Sequence, residues 1–139
     1  MSANVELVRS IFAAWERGDY SSTEWAHPEI EYVIADGPVP GTWNGLAGLA
    51  TGFRGFLRAW AELRMNAESY RGLDGERILV FVRFSGRGKL SGLDIEQTRA
   101  QGAYLFHVVS GRVTRFVTYF DRERAFADLG LAPEAGSER

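Results

Sequence analysis

The 139-residue sequence predicts an α+β domain: a cone-shaped, curved antiparallel sheet wrapped around an N-terminal helix and two further helices. Apolar residues recur at helical spacing near the N-terminus and again mid-chain, and the second half is β-rich and divided by two-residue turn signals. The predicted order is helix, short helix, strand, helix, then four strands in hairpins.

Residues 3–17 place Val5, Val8, Ile11, Phe12 and Trp15 on one helical stripe, and Gly18 stands where a helix C-cap belongs. A short capped turn is expected from Ser22, stopped before Pro28, and a strand over 29–35. After a Pro/Gly loop, residues 44–63 carry Leu46, Leu49, Phe53, Phe56, Leu57, Trp60 and Leu63 at helix period. Gly48, Gly52 and Gly55 each weaken that helix by roughly 0.5–1 kcal/mol relative to Ala, which points to close packing against a sheet. Asp74-Gly75 and Ser110-Gly111 mark turns between the later strands, and Asp121-Arg122 ends the last strand and caps a helical turn. One domain over 1–132 is expected, with a disordered tail at 133–139.

A net charge of −2 gives no electrostatic footprint for nucleic acid. With no Cys and two His, thiolate chemistry and His-rich metal sites are excluded, and no metal or cofactor is expected. No apolar run approaches bilayer length and the N-terminus lacks a signal-peptide core, so the expectation is a cytoplasmic protein without membrane contact. Nine Phe, five Tyr and four Trp exceed ordinary core filling and suggest an apolar cavity.

The segments HPEIEYV, the helix after GTWNG, FVRFSGRGKLSGLDIEQ and GRVTRFVTYFDRERAFADLGL resemble the SnoaL-like branch of the ketosteroid isomerase and nuclear transport factor 2-like superfamily, from about Val5 to Leu131. The resemblance implies that fold and a pocket for an apolar or cyclic small molecule. It does not single out one reaction, because the superfamily hosts isomerases, cyclases, hydrolases and binding modules. Ketosteroid isomerases carry a general-base aspartate nine residues before a helix-start glycine, and Asp36 stands nine before Gly45. Their oxyanion positions fall on Ile11, which has no hydroxyl, and Tyr104, which has one. Of the epoxide-hydrolase set, Thr118 replaces the closing-strand aspartate, and the other positions fall near Phe81 and Arg83. For the cyclase type, His107 and Asp121 are the available groups.

Asp36 is thus the candidate base, the alternative being a turn residue satisfying backbone N–H groups. Tyr104 is the candidate oxyanion donor and Arg83 the candidate substrate clamp. Arg83 faces the pocket only if Phe81, Arg83 and Ser85 form its inner side; otherwise it lies on a solvated or dimer face. Trp15, Tyr32, Trp43, Phe53, Phe56, Trp60, Phe116 and Thr118 are the candidate pocket lining, or else core. A homodimer through the open sheet face is expected, with Val80, Val82 and Phe84 buried only by the partner. The reading is a cofactor-independent acid/base enzyme; the alternative is a non-catalytic binding or dimerisation module.

Overall fold

The computed structural model describes residues 3–19, 24–36, 40–58, 60–74, 76–88 and 101–131, with side chains omitted at 55–58, 60–64 and 84–88. Helix α1 (Ala3–Glu16) leads into strands β1 (Ala26–Ile34) and β2 (Gly41–Asn44), then helix α2 (Gly45–Arg58). Strands β3 (Trp60–Gly72), β4 (Arg77–Gly88), β5 (Gln101–Val109) and β6 (Arg112–Tyr119) follow, and helix α3 (Arg122–Leu129) closes the chain's described part. The six strands form one open sheet in the order β2-β1-β6-β5-β4-β3. The pairing is antiparallel except for β1 against β6, which is parallel.

Helices α1 and α2 cover one face, where Val8, Ile11, Phe12, Trp15, Ile30, Tyr32, Ile34 and Phe53 meet Tyr104, Phe106 and Phe116. Helix α3 covers the other face, packing Ala125 with Leu79, Leu105 and Val117. Its N-terminus follows the predicted capping. The Asp121 carboxylate accepts from Glu123 N at 3.0 Å, and Gly130 terminates the helix in the left-handed region at φ 68°. The predicted Ser110-Gly111 turn has both residues at positive φ, 52° and 77°, the geometry of a type I′ hairpin.

Several expectations are corrected. Strand β1 begins three residues earlier than predicted and includes Pro28, tolerated because pairing with β6 is interrupted between Ala26 and Glu31 and pairing with β2 begins at Glu31. GTW, read as loop, and Asn44, read as the helix start, form an edge strand, and the helix expected to reach 63 ends at Arg58. Trp60 therefore belongs to β3, where its backbone pairs with Gly88, so long-range pairing overrides helical periodicity. Val80 and Val82 are fully buried within the single chain, under α1, and need no partner to cover them. The turn expected from Ser22 begins outside the described residues, as does the tail; so do the hairpin segment from Lys89 and the side chain of Phe84.

On the α3 face, a bulge in β3 between Ala67 and Ser69 turns Glu68 toward two arginines. Its carboxylate lies 2.6 Å from Arg83 Nη2 and 2.8 Å from Arg122 Nη2. Arg122 also donates to Gly102 O at 3.1 Å and lies over the Phe81 ring at 4.8 Å. Partial burial pushes the Glu68 carboxyl up, but hydrogen bonds and charge from Arg122 and Arg83 outweigh it, leaving the pKa below the ordinary 4.5. Stability from this clamp is therefore complete above about pH 4.5 and lost as pH falls below that value. Replacing Glu68 by Gln should flatten the acid limb of a melting-temperature profile; equal acid slopes for the two proteins would refute this.

Candidate functional site

Strand register sets the side chains in rows. Ile34, Thr118, Tyr104, Val80 and Tyr70 are consecutive neighbours across five strands. Tyr32, Phe116, Phe106 and Ile78 form the adjacent row. Asp36 lies two residues beyond Ile34, so it continues the inner side of β1 toward one end of the sheet. Its Cα stands roughly 12 Å from that of Tyr104, two strands across and one pleat along.

Both Asp36 oxygens are engaged at the end of β6. Oδ1 accepts from Phe120 N at 2.6 Å and Oδ2 from Asp121 N at 3.2 Å. Asp36 is half-buried. It thus ties β1 to β6, as a turn-type aspartate does, while its position keeps it on the inner side.

Tyr104 is fully buried, and its hydroxyl donates to Met65 Sδ at 3.4 Å. Met65 pairs with Phe84, so the Tyr104 ring leans toward the same end as Asp36. Thioether sulfur is a weak acceptor. Tyr32 is also fully buried, and its hydroxyl has no hydrogen-bond partner. Burial raises its pKa, and the nearby Thr118 hydroxyl offsets only part of that cost without completing a hydrogen bond. Tyr32 is therefore a neutral donor. Thr118, itself buried, makes only a long contact of 3.5 Å to Val33 O.

Around these hydroxyls the interior is aromatic. Phe116 is stacked on Tyr32 at 5.0 Å and on Phe106 at 4.7 Å, and Trp15 lies within 5.2 Å of Phe53 and 5.7 Å of Phe116. Trp43, half-buried on β2, packs on Tyr32 at 5.7 Å. Two of the helix glycines make room for it, since a Cβ on Gly48 or Gly52 would meet Trp43 at 3.2 and 2.7 Å. Phe56 and Trp60, also expected in the lining, have side chains outside those described.

Arg83 does not join this group. Because Ile78, Val80 and Val82 face α1, Arg83 falls on the opposite face, exposed and paired with Glu68. The expected pocket clamp is corrected to an outer-face ion pair. His107 also lies on the outer side, where burial, then Arg115 and Arg77, lower its pKa. Sequence reasoning missed Met65 and Glu68; Phe106 was legible as the inward neighbour of Tyr104 and Val108 on β5, with His107 turned the other way.

A family model for the SnoaL-like domain matches residues 8–116, most of the chain. The chain belongs to the SnoaL-like domain family. Solved structures agree on the fold. This SnoaL-like domain is 22% identical to a nuclear transport factor 2-like protein of unknown function from Burkholderia pseudomallei, with 91% of this chain and 97% of that one covered and a TM-score of 0.74. It is 22% identical to TerC, crystallised with polyporic acid, with 92% and 98% covered and a TM-score of 0.71. Against a protein from Sinorhizobium meliloti assigned as a polyketide cyclase, identity is 19%, coverage 81% and 93%, and the TM-score 0.64. No curated protein sequence matches significantly. Among the described residues, no helix is long and apolar enough to cross a membrane, and no group of three or more His, Cys, Asp or Glu could hold a metal.

Proposed function

We propose that this SnoaL-like domain binds an apolar, ring-bearing small molecule at the Asp36 end of the sheet, and that Asp36 transfers a proton there. The observation that carries the reading is the shared direction of Asp36 and the Tyr104 hydroxyl on one aromatic face. Each Asp36 oxygen accepts one backbone N–H, and a carboxylate has about four acceptor positions. The remaining lone pairs can take a proton from a C–H or O–H of the ligand, with the bonding electrons staying on the substrate. A hydroxyl leaving the weak Met65 acceptor can then donate to the resulting oxyanion. Trp15, Tyr32, Phe53, Phe116 and Trp43 supply apolar walls, with Phe56 and Trp60 proposed alongside them, and Thr118 adds a polar contact. The crystallisation of TerC with polyporic acid and the cyclase assignment of the Sinorhizobium protein fit a small-molecule role. The proposed homodimer uses the outer sheet surface beyond α3, around Arg77, His107 and Arg115.

The test is deuterium exchange α to the carbonyl across a panel of cyclic ketones. Asp36→Asn should lower exchange by roughly 10²–10⁴-fold, the usual worth of a positioned general base, while ligand binding persists. A second reading, binding without turnover, is favoured by the use of both Asp36 oxygens in tying β1 to β6. On that reading no ketone exchanges in either protein, and Asp36→Asn changes only stability.

A further inference from the structure

The packing of the interior leaves one polar group over. Tyr32 is fully buried, yet its hydroxyl has no hydrogen-bond partner. An unpaired buried hydroxyl costs stability, so native interiors rarely keep one. The hydroxyl beside it is little better placed: Thr118 is buried too, and its contact to Val33 O is stretched to 3.5 Å. By register Thr118 stands next to Ile34, two residues on from Tyr32, so both hydroxyls lie between the Tyr32 ring and the Asp36 end. Tyr104, by contrast, already has an acceptor in Met65 Sδ.

We propose that the Tyr32 and Thr118 hydroxyls together hold the carbonyl oxygen of a neutral ring ketone. The assignment rests on the aromatic-face site proposed above, but not on Asp36 moving a proton. Burial keeps the Tyr32 phenol protonated, so it can only meet a ligand as O–H. Thr118 can turn its hydroxyl from the long Val33 contact to a second donation, and a carbonyl oxygen has lone pairs for both. Phe116 and Phe53, 5.0 and 6.0 Å from the Tyr32 ring, supply apolar surface for the body of the ketone. Charge selects the kind of acceptor. The next inward position along the chain from Ile34 is Asp36, roughly 7 Å on, and its carboxylate repels an anionic head but not a neutral oxygen. The hydroxyl is closed to solvent, so one wall must yield to admit the ligand. Trp43 is that wall: it packs on the Tyr32 ring at 5.7 Å, is only half-buried, and comes from a four-residue edge strand.

The experiment is an NMR titration of the full chain with α-tetralone, isotopically labelled at its carbonyl carbon, and with tetralin, the same skeleton without the oxygen. The carbonyl resonance of the bound ketone should move downfield, as it does on accepting a hydrogen bond. Tyr32→Phe should abolish that shift and weaken the ketone by roughly five- to fifteenfold, the worth of one hydrogen bond, while tetralin binds as before. Thr118→Val should weaken the ketone by a smaller factor. Without ligand, Tyr32→Phe should raise the melting temperature, because it removes an unpaired buried hydroxyl. Asp36→Asn should leave the ketone's affinity and its shift in place, which separates this assignment from proton transfer. A shift that survives Tyr32→Phe but is lost in Tyr104→Phe, or equal weakening of ketone and tetralin, would overturn the assignment and leave the site itself standing. A lower melting temperature for Tyr32→Phe would overturn it too, by showing that the hydroxyl is satisfied by an internal water. Binding of neither probe would overturn both this assignment and the site.

Discussion

Replacing Phe116 by Ala is expected to destabilise the domain by about 3–5 kcal/mol, the usual range for an aromatic truncated in a core. Phe116 is fully buried on β6, stacked between Tyr32 and Phe106, and edge-on to Tyr104 at 5.2 Å. Its neighbours sit on β1 and β5, on either side of β6, and cannot collapse together into the gap without breaking the register that fixes their rows. A domain of this size is stable by only about 5–15 kcal/mol, so the variant loses a large fraction of its margin. Urea denaturation followed by tryptophan fluorescence measures this directly. A loss near 1 kcal/mol would show that the rings relax and that the aromatic face is softer than its stacking geometry implies.

Gly52→Val carries the second large effect, about 3 kcal/mol or more of lost stability. On helix propensity alone, leaving Gly mid-helix is worth a gain of several tenths to 1 kcal/mol. Packing opposes it. A Cβ at position 52 would lie 2.7 Å from Trp43 Cδ2 and 2.9 Å from Tyr32 Cδ2, far inside the roughly 3.5–4.0 Å at which carbon atoms attract. Overpacking by even one methyl costs about 1–3 kcal/mol, and valine adds two more methyls. Gly52→Ala should therefore be neutral to destabilising, with valine clearly worse. If alanine instead stabilises by the full propensity gain, Trp43 does not occupy the space between α2 and β1.

These two positions show how legible the molecule is. Phe116 and Trp15 were readable as pocket or core, because a large aromatic is buried in either case. The helix glycines were readable as close-packing positions, but not their partner, since Trp43 belongs to a four-residue edge strand too short for a periodic signal. Asp36 was placed by its spacing to Gly45. That spacing could not reveal that β6 backbone N–H groups would occupy both its oxygens, a contact 84 residues apart in the chain.

By itself the sequence determined the fold class, helix α1, the two-residue hairpin turn at Ser110-Gly111 and the N-cap of α3. Each rests on local chemistry: a 3.6-residue apolar period, a glycine at positive φ, or an aspartate reaching a backbone N–H two residues away. Only the tertiary structure decided the phase of β4. Ile78, Leu79, Val80 and Val82 are all buried because α1 covers one face and α3 the other, so no alternation was left to read. The fate of Arg83 followed from that phase and from a bulge that turns Glu68 to meet it, and neither is encoded within the reach of one strand.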